Sequence, residues 1–385
     1  MKIVIAPDSF KESLTAMEVA DQIERGFRTV LPHAQYLKLP VADGGEGTVQ
    51  SMVDATNGHI VWTKVTGPLG EQVNAFYGIL GEQYHRHEKT AVIEMAAASG
   101  LHLAPPAQRN PLLTTSYGTG ELIVDALNRG IKHIIIGLGG SATNDGGAGM
   151  AQALGAQLLD KTASPIGLGG AALSQLEYID LTQLHPLLAE CQFEVACDVD
   201  NPLCGDSGAS AVFGPQKGAT KQMVEQLDCA LSHYADVISQ SGINDYRNEA
   251  GVGAAGGMGL GLMAFVNAKL KPGIDIVIDA VDLAAHIQGA DLVITGEGRL
   301  DSQTLHGKTP MGVAAVAGKF DVPVIAIAGS VSDGANILLE HGFSALFSIT
   351  PRALPLAEVL LNAKHNLYCT SSNIAALYNL APSKR

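Results

Sequence analysis

The sequence predicts an α/β protein built on a five-stranded, doubly wound parallel sheet, to which both chain ends contribute. Three observations predict it. Short β-branched runs alternate with helical patterns in residues 1–66 and again in 286–385. Two strands at one end and three at the other are each too few for a stable open parallel sheet, whereas five together make an ordinary one. Finally, 385 residues, 46% hydrophobic and 16% charged, suffice for more than one core. Residues 67–285 are therefore read as a second, mixed α/β domain inserted into a discontinuous first domain, 1–66 and 286–385.

The elements follow in order. "KIVIA" (2–6) reads as a buried strand. Thr15 and Glu18 form a capping box, after which Val19, Ile23, Phe27 and Val30 recur at helical spacing. "YLKLPVA" (36–42) is a second strand, followed by a helix from Gly47 to about Asn57. Near the other end "DLVIT" (291–295), "PVIAIA" (323–328) and "ALFSIT" (345–350) are strands, with helical patterns beginning near Pro310, Gly334 and Leu356. Pro310 suits a first helical turn, where its missing N–H costs nothing. Within the insertion, "VNAFYGIL", "TAVIEMA", "HIIIGLGG" and "FEVACDVD" read as strands and "TGELIVDALNRG" as a helix, in a sheet order that the pattern does not give.

Composition narrows the function. A formal net charge of −14 repels phosphate polymers, so nucleic acid is not an expected partner. A small anionic substrate requires local Lys, Arg or metal. Five scattered cysteines without a C-x-x-C pair suggest reduced thiols and a cytoplasmic setting. No apolar run reaches membrane-spanning length, and "MKIVIAPDSF" is too short and too polar for a signal peptide, so no membrane partner is expected. Assembly into a homo-oligomer is left open.

In open parallel sheets, ligands bind outside the carboxyl ends of the strands. The first strand ends in "PDSFKES", with Asp8, Ser9 and Lys11, and the second in "ADGGEGT", with Asp43 and Glu46. The third ends in "TGEGRLDSQTLHGKTP" (295–310), with Glu297, Arg299, Asp301, His306 and Lys308, and the fourth in "GSVSDG". Four such loops on one edge of one sheet mark a site rather than scattered solvation.

Several glycine motifs compete for the role of phosphate loop. "GLGGSATNDGGAGMAQALGAQLLD" (137–160) contains G-x-G-x-x-A at Gly137, Gly139 and Ala142, with Asp160 near the place of a ribose-binding acid. Gly146, Gly147 and Gly149 would weaken the helix that a dinucleotide fold needs there. Backbone amides around a phosphate suit Gly139 and Gly140 better, with Ser141, Asn144 and Asp145 as polar partners. "EAGVGAAGGMGLGLM" (249–263), with Gly253, Gly256 and Gly257, is either a second phosphate loop or a close-packing segment. "SQTLHGKT" (302–309) misses a Walker motif because Ser302 replaces the first glycine.

"CDVDNPLCGDSGASAVFGPQKGA" (197–219) ends a strand with Asp198 and Asp200, then adds Asn201, Asp206 and Lys217. Carboxylates there suit Mg2+ or removal of a hydroxyl proton; an Asx turn explains Asn201-Pro202 without any function, but Lys217 in "FGPQKGA" favours a functional loop. "HRHEK" (85–89) reads as a charged surface turn rather than a metal site. Tyr and Phe are dispersed, with no stacking-platform pattern.

Six of these motifs in this order resemble the bacterial glycerate kinase type 1 family over essentially the whole chain. The resemblance implies a flavodoxin-like domain interrupted by a second α/β domain, a site in the cleft between the two, and transfer of the ATP γ-phosphoryl group, with Mg2+, to the 2-hydroxyl of D-glycerate in glyoxylate, glucarate and galactarate catabolism. On that reading Glu297 and Asp301 hold the metal, with Asp43 and Glu46 as alternatives. Lys11 and Arg299 neutralise the transferring group, Asp198 orients or deprotonates the hydroxyl, and Asp8, Ser9, Asp43 and Lys308 face the substrate. Gly139, Gly140, Ser141, Asn144, Asp145, Gly253, Gly256 and Gly257 surround the ATP phosphates. The residues themselves leave a 3-phosphate product, a nicotinamide dehydrogenase and a non-catalytic sugar-acid sensor open. One departure from the family pattern is Lys11-Glu12-Ser13, where many members carry Lys-Gly-Ser.

Overall fold

The two chain ends meet in one all-parallel sheet of five strands, ordered Ala345–Ser348, Val324–Ala328, Leu292–Thr295, Lys2–Ile5 and Gln35–Lys38. The computed structural model describes residues 1–81, 88–305 and 307–380. Residues 85–87 of the expected charged turn, and His306, therefore lie outside the described residues. Alternation along the first strand sorts its side chains between two buried layers: Ile3 and Ile5 face one, Val4 and Ala6 the other.

On the first face, helix Ala16–Arg28 packs beside Ala363–Leu380, burying Val19, Ile23 and Phe27 with Leu367 and Ile374. The Thr15–Glu18 capping box is present, each side chain accepting from the other's backbone N–H. On the opposite face lie helices Thr48–Thr56, Gly273–Ala280 and Thr309–Gly318, the last with Pro310 in its first turn. Two C-terminal expectations change in detail. The segment at Gly334 is a 3₁₀ helix, Asp333–His341, and the long helix from Leu356 is interrupted at Asn362.

The insertion forms a six-stranded mixed sheet, ordered Lys269–Lys271, Gln192–Ala196, His133–Gly137, Thr90–Glu94, Gln72–Ile79 and His59–Thr66. The first four are parallel and the last two join antiparallel. The expected boundary at 66/67 falls between two strands that pair with one another, so the second sheet begins at His59. Likewise, Ile276, Val277 and Leu283, expected within the insertion, pack in the layer of the first sheet. Val92, Ile135 and Ala196 of the second sheet join this same buried cluster. The second sheet thus turns one face toward the carboxyl ends of the first. Among the described residues no helix is long and apolar enough to cross a membrane.

Candidate active site

Each charged loop is carried to one edge by the strand before it. Asp8 N–H donates to the Gly296 carbonyl at 2.8 Å, and the Thr295 hydroxyl donates to the Ala6 carbonyl at 2.7 Å. A Cβ built on Gly298 would lie 3.5 Å from the Lys11 amide nitrogen and 3.7 Å from Phe10 Cα, in ordinary contact with the first loop. Lys11 and Glu297 therefore share the edge on which the sequence reading depended.

The acids of this edge act on one another. Asp8 accepts from the Ser9 amide at 2.6 Å and the Thr309 hydroxyl at 2.7 Å, yet burial, with Asp43 and Glu297 nearby, pushes its pKa up to about 6. Glu297 is also raised by burial, although it accepts from Thr304 at 2.7 Å and lies 3.5 Å from the Lys308 ammonium. Asp301 pairs with Arg299 at 3.3 Å and accepts from the Gln303 amide. Asp8 and Asp43, by contrast, have no cation partner among the ion pairs of the described residues.

A cleft of about 990 Å³ opens between this edge and the facing side of the second sheet. Lys11, Asp43 and the turn Gly44–Gly47 line one wall; Glu94, Gly139, Gly140, Ser141 and Asp198 line the other. The walls meet where Gly44 touches Ala196 and Gly273, so closely that a Cβ on Gly44 would lie 2.6 Å from that of Ala196. Asp198 is anchored by the Gly273 amide at 2.9 Å. Its carboxylate is open to solvent at the cleft wall, but the surrounding walls, with Asp43 and Asp275, push its pKa up to about 6. Asp8, Glu297, Asp301, Arg299 and Lys308 stand around the strand ends beside this lining rather than on it.

The expected phosphate ligands divide. Gly139, Gly140 and Ser141 reach the cleft; Asn144 and Asp145 do not, being 0% exposed. Asp145 instead accepts from the Ser116 amide and hydroxyl, both at 2.8 Å, and from the amides of Gly147 and Gly149 at 3.2 and 3.3 Å. Asn144 donates to the Ser210 hydroxyl at 2.9 Å. Gly253, Gly256 and Gly257 are buried in a kink where Ala255, Gly256 and Gly257 all take positive φ. A Cβ on Gly256 would collide with the Thr143 carbonyl, so this glycine run packs against the 139–149 loop, and only Ala254 and Ala255 touch the cleft. These five residues, expected around the nucleotide phosphates, stand behind the cleft wall rather than on it, and close backbone packing needs glycine as much as a phosphate does. Asp160 accepts from the Thr162 amide and hydroxyl and the Ser164 amide inside its own turn, and it does not line the cleft that Gly139 reaches.

Lys217 carries more than its sequence context signalled. It is buried against the cleft, its ammonium donates to the Thr143 carbonyl at 2.6 Å, and burial lowers its pKa to about 7 despite the pull of Asp145. The sequence marks it as a functional candidate of its loop, but its burial is not legible there, because the segments that cover it are distant in the chain. Glu94 was legible only as a strand-end acid; it accepts from the Val49 amide at 2.8 Å and so caps the helix that follows the Gly44–Gly47 turn.

Glu12, the departure noted above, has φ 65°, a left-handed conformation that glycine adopts freely. The left-handed region costs a side-chain-bearing residue about 1–2 kcal/mol, partly offset by the greater unfolded-state freedom of glycine. Glu12→Gly is therefore expected to raise stability by about 0.5 kcal/mol, read as the urea midpoint, and a clear loss would contradict the strain.

Fold and site together define an α/β protein that receives a small polar ligand in an acidic, lysine-edged cleft between two sheets. The chain belongs to the glycerate kinase family, whose model matches residues 3–379. It is 60% identical over 381 residues to a Bacillus subtilis protein named Glycerate kinase, covering 99% of this chain and 98% of the relative. It is 57% identical over 376 residues to an Escherichia coli K12 protein named Glycerate 2-kinase, covering 98% and 97%. A crystal structure from Salmonella typhimurium LT2, provisionally assigned as glycerate kinase 2, superposes with a TM-score of 0.90 at 58% identity, covering 98% of both chains.

Proposed function

We propose that this protein is a kinase that transfers the γ-phosphoryl group of ATP to the 2-hydroxyl of D-glycerate, giving 2-phospho-D-glycerate and ADP in the cytoplasm. The observation that carries the proposal is Asp198, a strand-end carboxylate facing the acidic edge across the cleft, with one oxygen held by the Gly273 amide. Its other oxygen is left to take the hydroxyl proton. A base with a pKa of about 6 is ionised at neutral pH yet still accepts a proton as the hydroxyl attacks. The 2-position is favoured by the name of the Escherichia coli relative.

Phosphoryl transfer asks mainly for positioning and charge neutralisation. Lys11, exposed at the cleft edge, meets the transferring group, with Arg299 and Lys308 adding positive charge behind it. The amides of Gly139 and Gly140 and the Ser141 hydroxyl receive the nucleotide phosphates.

Among the described residues no group of three His, Cys, Asp or Glu side chains could hold a metal alone. Mg2+, however, is commonly bound by one or two carboxylates together with substrate phosphates, so a pair of acids at this edge is enough for the protein's share of the ligands. Glu297 and Asp301 already face Lys308 and Arg299, so Asp8 and Asp43, which pair with no cation among the described residues, fit the ion better than the pair first expected. Bound there, Mg2+ would neutralise negative charge on the nucleotide phosphates. Closure of the two walls would keep water from the γ-phosphate.

An assay with D-glycerate, ATP and Mg2+, coupled to enolase without a mutase, tests the reading. Enolase signal means the 2-phosphate, and ADP release without it means the 3-phosphate. Nicotinamide reduction, or tight binding of D-glycerate with no turnover, would replace the kinase by a dehydrogenase or a sensor. Lys11→Ala is expected to lower kcat by about 10²-fold, as loss of one transition-state charge partner does; near-normal turnover would remove Lys11 from the mechanism.

A further inference from the structure

We infer that Trp62 and Phe76 are the platform on which the nucleobase of the phosphoryl donor stacks, so that the nucleotide lies across the second sheet from its edge strand to the glycine loop. The inference rests on the kinase reading above and adds the base subsite to it.

Trp62 is the one tryptophan of the chain, and it is 65% exposed while lining the cleft. A large aromatic ring left in water inside a cavity calls for an occupant. Phe76 stands beside it across the antiparallel pair, ring centroids 5.0 Å apart and planes at 47°. The same face of these two strands is covered further along. Gly78 packs so tightly on helix Thr48–Thr56 that a Cβ would lie 2.5 Å from Val53 Cγ2. The helix begins at Thr48, and the aromatic pair lines the cavity beside its start, with Glu46 and Gly47.

Strand register gives the direction of the ligand. Trp62 pairs with Phe76, and Gly78 with Val92, so two residues further on Phe76 falls opposite Glu94. Glu94 pairs with Gly137, and Gly137 with Ala196. One row thus crosses the sheet from the aromatic pair, past Glu94, to the root of the glycine loop and the strand that carries Asp198. From the Trp62 strand to the Gly137 strand are three spacings, roughly 14 Å, a span that an extended nucleoside triphosphate covers. Glu94, two strands from Trp62 and one from Gly137, lies with Glu46 beneath the middle of that span, a stretch unfavourable for phosphate, so the phosphates fall beyond it at the amides of Gly139 and Gly140, with Lys11 on the facing wall. Of the two reactants only the nucleotide has a π face; D-glycerate offers no ring to stack. Asn74, on the same strand as Phe76 and lining the same stretch, is placed to meet the edge of the base.

Because the chain has one tryptophan, its emission reports on this position alone. Titration with ADP is expected to quench that emission saturably, whereas inorganic tripolyphosphate, which has no base, is expected to compete with ADP without quenching. Trp62→Ala is expected to raise KM for ATP about ten- to a hundredfold, the effect of losing one stacked base, with KM for D-glycerate unchanged. Trp62→Phe is expected to restore most of the loss. Saturable ADP binding by calorimetry with unaltered emission, together with unchanged KM for ATP in Trp62→Ala, would overturn the base site while leaving the kinase reading intact. Absence of both ADP binding and phosphoryl transfer would remove that reading, and the base site with it.

Discussion

Asp198→Asn is expected to lower kcat by about 10²- to 10⁴-fold, the range in which a positioned general base contributes. The amide keeps the shape of the carboxylate, and its oxygen can still accept from the Gly273 amide, so the loss would be chemical rather than structural. Two pH measurements separate this from damage to the fold. In the parent protein kcat/KM for D-glycerate should rise with pH through about 6 as the Asp198 carboxylate forms, and the variant should lack that limb. Stability should move the other way. A carboxyl whose folded pKa is raised contributes stability that is full below the ordinary carboxylate range and lost as pH rises through about 6. Above that pH the variant, having no charge to hold there, should therefore be the more stable protein. Activity within threefold of the parent would end the assignment of Asp198 as base.

Asp145→Ala should have the largest effect on folding, a loss of about 3–5 kcal/mol in urea unfolding. The carboxylate is fully buried and accepts from the Ser116 amide and hydroxyl and from two amides of the loop that turns into helix Ala148–Ala153. Truncation would leave those donors unpaired. It would also remove the acid whose field holds a proton on the buried Lys217, where burial alone drives the ammonium toward the neutral amine. Gly139 and Gly140 belong to the same loop, so activity should fall as a consequence. Asp145→Asn, which keeps the volume and one acceptor, should lose less. A destabilisation of Asp145→Ala below about 1 kcal/mol would show that water satisfies those donors instead.

Helices and strands are largely legible in the sequence. β-Branched runs such as "KIVIA" and "PVIAIA" have no stable alternative to burial in a sheet, and the Thr15–Glu18 pair and Pro310 mark helix starts by local hydrogen bonding. The meeting of both chain ends in one sheet followed from counting, since neither end could complete a layer alone. Placement of Asp8, Lys11, Asp43 and Glu297 on one edge followed in turn, because each occupies the loop after a parallel strand. The strand His59–Thr66 was less accessible: its pairing with Gln72–Ile79 is a non-local choice, and only that pairing assigns it to the second sheet.

By itself, then, the sequence determined the layer architecture, the edge that bears charge and the six motifs of the family, since all of these depend on local pattern and chain order. Tertiary structure alone decided which glycines face a ligand and which face other backbone. Gly139 and Gly256 look alike in sequence, yet one opens on the cleft and the other presses on Thr143. It also decided that Lys217 is buried and that Trp62 and Phe76 stand together on the cleft lining. The physical reason is common to these cases: a residue's solvent, field and neighbours are set by segments distant in the chain, and no local pattern carries them.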